Sequence, residues 1–309
     1  HDMLVKYKLL FDRQLGCYLH EKFHIDIEEG AKPVFQNAYK VPYCHKGAFK
    51  RELIAMLKEG TVERCNRSEW ASPLFIIPKE NQTVCWINDF RKLNKVIIRR
   101  NFPLPRIQDV MNRQGCYKYF TKIDLSMMFH CFELDKAFKR LCTFNTPYGL
   151  FCFRRLPMGV KISPDIAQNM MTNLLRDLKE FLECIKVYID NCGIWTSGTF
   201  EHHLSVVEKV LAKLHAAGLK CNPLKCDWEV QETSFLGHWM TPDCVKPMKK
   251  KIQPLLDLGP PTNATEARSF VGAVNYYKSL WPRRAHLLAP LTAVTGNKPF
   301  VWTDEMTRD

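Results

Sequence analysis

The sequence predicts an α+β fold built around an antiparallel sheet. Helical patterns alternate with short β-type runs, but without the regular strand–helix–strand rhythm of a doubly wound parallel fold. Most of the predicted strands are linked as hairpins. The β-type runs cover residues 74–78, 83–87, 119–125 and 184–195.

The first two clear helices are marked by their ends. Residues 48–59 place apolar side chains on one face and are followed by Gly60, a common helix stop. Ser163 followed by Pro164 predicts an N-cap and a first helical position. Met and Leu residues then recur at helical spacing as far as Leu178, and we expect them to be core residues.

Two further helices follow in the second half of the chain. The third carries Leu and Val at helical spacing and ends at Gly218. His202 and His203 stand at its start, where we expect them to be exposed. Asn263 with Glu266 predicts a capping box for the fourth helix.

The chain of 309 residues is strongly basic, with 45 Lys and Arg against 32 Asp and Glu and a net charge of +13. Such a charge favours an anionic partner, of which nucleic acid is the commonest. With 46% hydrophobic and 25% charged residues, the composition excludes a disordered or collagen-like chain.

Cysteine usage favours a reducing compartment such as the cytoplasm or nucleus, because the 13 cysteines are odd in number and form no C-x-x-C pairs. Cys221 and Cys226 lack the second ligand pair of a zinc site. No apolar run approaches the roughly 20 residues that cross a bilayer. The chain begins at His1 instead of Met, so we expect trimmed ends that leave room for a removed targeting segment.

Residues 243–290 carry a net charge of about +5 and are a candidate for binding a phosphate backbone. A solvated basic face is the alternative interpretation. The basic side chains are Lys246, Lys249, Lys250, Lys251, Arg268, Lys278, Arg283 and Arg284.

Two carboxylates stand out by their positions. Asp124 ends an alternating strand, and Asp190 lies at the tip of the hairpin formed by residues 185–195. An Asp-Asn pair between apolar strands is also ordinary turn chemistry. Two strand-borne acids in one sheet are nevertheless what a pair of Mg²⁺ ions needs, because hard cations prefer oxygen ligands.

Nine short segments follow one another in a recognisable order. They are WASP at 70–73, DFRKLN at 89–94, FPLP at 102–105, TKIDL at 121–125, LPMG at 156–159, YID at 188–190, NPLKC at 222–226, FLGH at 235–238, and SFVG at 269–272 followed by YY at 276–277. Each is weak alone. Together they resemble the reverse transcriptases of Ty3/gypsy-type long-terminal-repeat retrotransposons over nearly the whole chain.

The resemblance implies a right-hand polymerase fold with fingers, palm and thumb and an antiparallel palm sheet. The implied order begins with an N-terminal extension and ends with the start of a connection towards an RNase H domain, which we expect to be absent. The implied boundaries are 1–32 for the extension, 33–96 and 134–167 for the fingers, 97–133 and 168–242 for the palm, 243–292 for the thumb and 293–309 for the connection.

By the same resemblance, Asp124, Asp190 and Leu125 form a metal site that holds two Mg²⁺ ions. One ion lowers the pKa of the primer 3′-OH and the other balances charge on the leaving pyrophosphate. Lys225 stands where a palm lysine can protonate the pyrophosphate. A solvated lysine is the alternative.

The resemblance also assigns nucleotide and primer contacts. Phe129 matches an aromatic residue that stacks under the incoming sugar and excludes a 2′-OH, although a core Phe is the alternative. Met158 lies in the loop beside the nucleotide, and Lys79 and Cys85 lie on the fingers hairpin. The primer grip corresponds to Phe235, Leu236, Gly237, His238, Trp239 and Met240, and the basic residues of 243–290 correspond to the thumb.

Three departures from the family pattern fall near the chemistry. The palm hairpin of the family has two consecutive Asp residues, whereas this chain has Asp190 followed by Asn191. Cys85 stands where the fingers hairpin normally supplies an Arg to the triphosphate. Met128 replaces a small or amide residue close to Asp124.

These observations leave two hypotheses open. The first is an RNA-directed DNA polymerase, impaired by Asn191 and Cys85, that works on a primer-template and deoxynucleoside triphosphates. The second is a catalytically inactive, domesticated reverse-transcriptase-like protein that serves as a structural or RNA-binding subunit of a protein or ribonucleoprotein assembly. Neither hypothesis involves insertion into a membrane.

Overall fold

The structure is a computed structural model that describes residues 2–79, 83–100, 102–112, 117–281, 283–296, 300–303 and 306. The tip of the expected fingers hairpin, residues 80–82, lies outside the described residues, as does part of the expected connection. The chain divides into two compact units. The first unit comprises His1–Pro105 and Thr121–Trp228, and the second comprises Arg106–Phe120 and Glu229–Asp309.

Helices and strands alternate along the described residues, as the sequence predicts. The α-helices are α1 (Asp2–Lys6), α2 (Lys46–Lys58), α3 (Arg91–Val96), α4 (Ile107–Asn112), α5 (Lys136–Leu141), α6 (Ser163–Leu175), α7 (Phe200–Ala216), α8 (Lys249–Leu256), α9 (Ala264–Asn275) and α10 (Arg284–Ala293). The strands are β1 (Val62–Arg64), β2 (Ser72–Pro78), β3 (Val84–Asn88), β4 (Tyr119–Asp124), β5 (Thr143–Thr146), β6 (Gly149–Phe153), β7 (Ile185–Tyr188), β8 (Asn191–Thr196), β9 (Asp227–Val230), β10 (Thr233–Phe235), β11 (His238–Met240) and β12 (Val245–Pro247). Short 3-10 helices cover Lys8–Phe11, Tyr43–His45, Met128–Cys131, Lys179–Phe181 and Lys278–Leu280.

A five-stranded sheet in the first unit has the order β1-β6-β5-β2-β3. Neighbours β1 and β6, β6 and β5, and β2 and β3 are antiparallel. The pair β2–β5 is parallel, with Ser72 opposite Phe144. A parallel pair needs a long connection, and the chain between these strands supplies one. The sheet is therefore mixed, which the local sequence pattern does not reveal.

A four-stranded sheet has the order β7-β8-β4-β9, and β7 and β8 form an antiparallel hairpin. Helices α6 and α7 pack on this sheet and on each other. Ile123 on β4, Ile194 on β8 and Val210 on α7 are fully buried in the shared core. This packing fixes the ends of β4 and of the β7–β8 hairpin, where the two predicted carboxylates lie.

The environment of His203 differs from the prediction. His202 is exposed as expected, but His203 is fully buried at the start of α7. Its two ring nitrogens form hydrogen bonds of 2.8 Å with Thr121 Oγ1 and 3.0 Å with Thr196 Oγ1. Thr121 on β4 is 82 positions from His203 and Thr196 on β8 is seven, and together they satisfy the ring inside the core. The prediction of exposure is wrong for His203 because this environment forms only in the folded chain.

The predicted helix ends are partly correct. Gly60 follows α2 with φ of +72°, a left-handed conformation that favours glycine and ends the helix. Ser163 is not the N-cap of α6, because Ile162 holds that position. The Ser163 hydroxyl instead donates to the Pro157 carbonyl at 2.8 Å, so its oxygen stabilises the preceding loop.

The second unit contains the sheet β10-β11-β12 and helices α8 to α10, of which α9 and α10 pack together. Asn263 caps α9, and its side chain accepts hydrogen bonds from the backbone of Thr265 and Glu266. The Glu266 carboxylate accepts from the Thr262 backbone at 2.8 Å instead of from the Asn263 backbone. The cap is therefore confirmed, with the return bond displaced by one residue from a standard capping box.

Among the helices of the described residues, none combines the length and the apolar character required to span a membrane.

Candidate active site

Asp124 ends β4 and is tied to two other segments by backbone hydrogen bonds. The amide of the next residue, Leu125, donates to the Asp190 carbonyl at 2.8 Å. The amide of Asn222 donates to the Asp124 carbonyl, also at 2.8 Å. The end of β4, the β7–β8 hairpin and the segment after α7 therefore meet at Asp124. Neither bond uses the Leu125 carbonyl.

Asp190 lies in a two-residue turn between β7 and β8, whose flanking residues Tyr188 and Asn191 are paired. The other turn residue, Ile189, has φ of +54°, which is strained for a β-branched side chain. Buried Gln168 on α6 holds this turn by accepting from the Ile189 amide at 2.8 Å and donating to a β7 carbonyl at 3.2 Å. Gln168 is a supporting residue that the sequence analysis missed, because its partners are remote in sequence.

One pocket of about 280 Å³ collects most of the predicted catalytic and nucleotide-binding residues, and we call it the carboxylate pocket. It lies within the first unit. Its lining residues are Asp124, Leu125, Ser126, Met127, Met128, Phe129, His130, Met158, Asp190, Asn222 and Lys225. The sequence motifs that carry these residues are far apart along the chain, and the fold brings them to one place.

The electrostatics of the pocket centre on Asp124. Its side chain is only 11% exposed, and Lys225 Nζ lies 3.6 Å from Asp124 Oδ1. Burial raises the pKa of Asp124, the charge of Lys225 opposes that shift, and the nearby charge of Asp190 adds to it. The carboxylate is therefore sensitive to any cation that enters the pocket.

Asn191 makes a direct contact with the second carboxylate. Its Nδ2 atom donates a hydrogen bond of 2.7 Å to Asp190 Oδ1. An Asp at this position would repel that oxygen instead, and both oxygens would then be available to a cation. The amide thus occupies part of the coordinating capacity of Asp190.

The 3-10 helix Met128–Cys131 forms one wall of the pocket. Phe129 is half-buried, and it both lines the pocket and packs against the core. Met128 is 2% exposed and belongs to the core. His130 was not singled out from the sequence, and burial together with nearby Arg155 lowers its pKa to about 4, so its ring is neutral at physiological pH.

Lys79 and Cys85 lie on the β2–β3 hairpin and are not among the residues that line the carboxylate pocket. Lys79 is exposed, and its amide donates to the Thr83 carbonyl at 2.9 Å. Cys85 is half-buried opposite Ile77. The nucleotide contacts of Lys79 and Cys85 stay a prediction.

The predicted primer grip is the β10–β11 hairpin of the second unit. Leu236 and Gly237 form its two-residue turn, with φ of +46° and +81°. Positive φ at both positions is the geometry of the tight hairpin turns that match strand twist. Phe235, His238 and Met240 are buried, while Trp239 is 38% exposed.

The predicted backbone-binding cations are spread over β12, α8, α9, the segment before α10 and the first residue of α10. Arg268 donates to the Thr295 carbonyl at 2.7 Å and Arg284 donates to Asn275, so both have partners inside the unit. The other basic side chains are exposed, namely Lys246, Lys249, Lys250, Lys251, Lys278 and Arg283.

The donor set of the pocket fits a divalent metal ion. Two carboxylates and the Leu125 carbonyl are hard oxygen ligands, and burial around Asp124 increases the gain from adding a cation. In the described part of the chain, no group of three or more His, Cys, Asp and Glu side chains forms a metal site. A metal here would therefore depend on two carboxylates with backbone and solvent oxygens.

Asp124 at the end of β4 and Asp190 in the β7–β8 turn therefore line one pocket, to which several of the motif segments contribute. Residues 77–240 match the family described as "Reverse transcriptase (RNA-dependent DNA polymerase)", which is slightly more than half of the chain. The chain belongs to the reverse transcriptase family. Members of this family depend on divalent metal ions in general.

Curated relatives place the chain among Ty3/gypsy-type retrotransposon sequences, which confirms the predicted resemblance. The Pol polyproteins of Drosophila melanogaster transposons 297 and 412 are 30% and 32% identical over 279 and 284 residues, each covering 89% of this chain. The Tf2-7 polyprotein of Schizosaccharomyces pombe is 28% identical over 271 residues and 87% of this chain. The chain spans 26%, 22% and 20% of the length of these three relatives, respectively.

Solved structures confirm the predicted polymerase fold. The foamy viral protease-reverse transcriptase in complex with dsDNA matches 99% of this chain and 64% of its own, with a TM-score of 0.85. The same protein in complex with an RNA/DNA hybrid matches 99% of this chain and 42% of its own, with a TM-score of 0.82. Both are 23% identical to this chain, so the likeness shows the fold alone.

Proposed function

We propose that this chain is the polymerase module of a retrotransposon Pol protein, an RNA-directed DNA polymerase with two-metal nucleotidyl transfer that is impaired by Asn191 and Cys85. The observation that carries the proposal is the carboxylate pocket, where Asp124 and Asp190 converge with Lys225, Phe129 and Met158. The substrates are a primer-template and deoxynucleoside triphosphates.

Asp124, Asp190 and the Leu125 carbonyl would hold the metal ions, with Mg²⁺ as the proposed ion. When bound, the ions activate the primer 3′-OH and neutralise charge on the leaving pyrophosphate. The residues of the chain position these groups. Phe129 offers a ring against the sugar of the incoming nucleotide, and Lys225 offers an ammonium to the departing phosphate.

Impairment follows from the loss of two charges. Asn191 cannot add negative charge to the metal site, and it donates to the Asp190 oxygen that a metal would use. Cys85 gives the triphosphate no fixed cation. A single charge pair at about 4 Å is worth roughly 4 kcal/mol gross at an effective dielectric near 20. If about 3 kcal/mol of that stabilises the transition state, its loss slows the reaction about a hundredfold.

Nucleic-acid binding is proposed for the second unit. The exposed lysines of β12 and α8 would track phosphates, and the β10–β11 hairpin would hold the primer strand. The foamy viral relatives are in complex with dsDNA and with an RNA/DNA hybrid, which supports a duplex as the partner. The net charge of +13 supports the same conclusion.

The division into fingers, palm and thumb stays a proposal with the boundaries predicted from the sequence. Under it, the five-stranded sheet belongs to the fingers, the four-stranded sheet to the palm, and helices α8 to α10 to the thumb and the start of the connection.

A second candidate function is a non-catalytic, domesticated reverse-transcriptase-like subunit of a larger assembly. The hydrogen bond from Asn191 to Asp190 favours it, because that contact stabilises the hairpin without any metal. Under this alternative, the fold is retained for RNA or protein binding and the pocket chemistry is dispensable.

Primer extension on an RNA template with Mg²⁺ separates the two candidates. We expect the parent chain to extend slowly or not at all, and the double variant Asn191→Asp/Cys85→Arg to be at least tenfold faster. Each change restores a charge-assisted contact of about 1–3 kcal/mol to a different part of the transition state. Adding Asp124→Asn to the double variant is the control and abolishes the recovered activity.

Robust extension by the parent chain would contradict the impairment. An inactive double variant with an intact fold would point first to Met128, which is tested by Met128→Gly and Met128→Gln in the same background. Continued inactivity in both would make the non-catalytic function the stronger candidate.

A further inference from the structure

Each carboxylate of the carboxylate pocket already faces a donor that belongs to the chain. Lys225 Nζ lies 3.6 Å from Asp124 Oδ1, and Asn191 Nδ2 lies 2.7 Å from Asp190 Oδ1. The two contacts differ in kind, because Asn191 is neutral and Lys225 carries a full positive charge. Lys225 therefore supplies the charge that a metal ion would otherwise supply to Asp124.

The backbone holds Lys225 in register with Asp124. Asn222 donates its amide to the Asp124 carbonyl, and its own carbonyl accepts from the amide of Lys225 at 3.1 Å. The Asn222 side chain also accepts from the Leu224 amide at 3.1 Å, which closes the turn between them. The backbone hydrogen bonds from Asn222 to Asp124 and from Lys225 to Asn222 thus fix the base of the Lys225 side chain beside the Asp124 carboxylate.

The end of the side chain is nevertheless able to leave. The Lys225 side chain is 64% exposed, whereas that of Asp124 is 11% exposed. A flexible lysine on the solvent side of a buried carboxylate can turn outward at little cost in packing. The other nearby lysine, Lys122, is 15% exposed and is paired with Asp227, so it is not free to exchange in this way.

We propose that Lys225 is an internal counter-cation that competes with a divalent metal ion for Asp124. This inference rests on the proposed function, because it takes Asp124 to be a metal ligand. An ammonium beside the carboxylate repels an incoming dication and occupies the side from which it approaches. The metal binds when Lys225 swings towards solvent, and a phosphate-bearing ligand that attracts the lysine promotes that step.

Mn²⁺ binding to the nucleic-acid-free chain tests the proposal without any measurement of activity. The amplitude of the free-ion signal in electron paramagnetic resonance reports the bound fraction during a titration. We expect Lys225→Gln to bind Mn²⁺ about three- to tenfold more tightly than the parent, the scale of a partly exposed ion pair with a buried carboxylate. Lys225→Arg keeps the charge and is expected to match the parent.

A matched control removes a lysine of similar exposure elsewhere in the first unit. Lys6 pairs with Glu208 at 2.6 Å, with its side chain 60% exposed. Lys6→Gln changes the net charge equally and is expected to leave Mn²⁺ affinity unchanged. Asp124→Asn is expected to lower it.

The outcomes separate this inference from the proposed function. Equal affinity for Lys225→Gln and the parent, or an equal gain for Lys6→Gln, would overturn the competition while leaving Asp124 as a ligand. A gain for Lys225→Arg as large as that for Lys225→Gln would overturn it too, because the charge would then not be the cause. Unchanged binding in Asp124→Asn would overturn the metal site and the competition together.

Discussion

His203 combines complete burial with two hydrogen bonds to threonine hydroxyls, and this environment makes the stability of the fold depend on pH. Burial lowers the pKa of His203 to about 4, while an unfolded chain titrates near 6.5. Between roughly these pH values the unfolded state binds a proton that the folded state does not. The free energy of unfolding is therefore expected to fall as pH drops from about 6.5 to about 4.

The variant His203→Gln isolates this contribution. A Gln side chain can still hydrogen-bond to threonine but does not titrate, so we expect a shallower dependence of the free energy of unfolding on pH. Urea unfolding at a series of pH values across this range measures the slope. Part of the slope will persist, because the pKa of half-buried His130 is also lowered to about 4. Identical slopes for parent and variant would contradict the assignment.

Some residues of the candidate site can be singled out from the sequence, and others become visible only through their contacts in the folded chain. Asp124, Asp190 and Lys225 are predictable because each sits in a short motif with a recognisable neighbourhood. Gln168 supports the Asp190 turn through backbone atoms that are about twenty positions away, so no local pattern marks it. The burial of His203 is hidden as well, because Thr121 is 82 positions away and the nearer partner, Thr196, contacts the ring only in the folded chain.

Two glycines in different elements show how backbone conformation decides the effect of a substitution. Gly237 has φ of +81° in the β10–β11 turn, and an added Cβ would lie 3.1 Å from Lys251 Nζ. Gly272 lies inside α9, where an added Cβ would meet nothing within 4 Å. The same change to Ala is therefore expected to have opposite effects at the two positions.

We expect Gly237→Ala to destabilise the chain by about 1–2 kcal/mol, the cost of a left-handed conformation for a residue with a side chain. Gly272→Ala is expected to stabilise it by about 0.5–1 kcal/mol through a better helix propensity. Shifts in the midpoint of urea unfolding measure both effects. A stabilising Gly237→Ala would show that the turn tolerates a side chain and that its geometry does not require glycine.

Helices and hairpins that are determined by neighbouring residues are predictable from the sequence, whereas the pairing of strands far apart in the chain is not. The β7–β8 hairpin follows from two apolar runs around a polar turn, and the end of α2 follows from Gly60. The parallel pairing of β2 with β5 depends on segments far apart in sequence, so hairpin patterns suggest only antiparallel neighbours. The local sequence pattern predicts the wrong N-cap for α6, because the Ser163 hydroxyl donates to the Pro157 carbonyl in the preceding loop instead of capping the helix.

The net charge of +13 favours an anionic partner, but it does not identify the cationic side chains that contact that partner. Several lysines of the first unit are already paired with acids, such as Lys209 with Glu180 and Lys213 with Asp177. The exposed lysines that begin α8 are, by contrast, the proposed contacts to phosphate. Salt dependence distinguishes the two groups, because only a cation that displaces counterions from the nucleic acid changes the slope of affinity against salt.

Two triple variants that remove the same amount of charge distinguish the surface of α8 from the paired lysines of the first unit. Replacing Lys249, Lys250 and Lys251 by Gln is expected to weaken binding to a primer-template duplex and to make the logarithmic salt slope shallower by about two to three, since each phosphate that is no longer neutralised accounts for about 0.9. The control replaces Lys6, Lys209 and Lys213, whose ammonium groups lie 2.6–3.1 Å from carboxylates in the first unit. We expect the control to keep the parent slope, as measured by fluorescence anisotropy across salt concentrations. Equal salt slopes for the parent and both triple variants would assign the charge of α8 to an acidic protein partner or to solubility. Equally weakened binding in both triple variants would mean that net charge, and not a particular surface, governs binding.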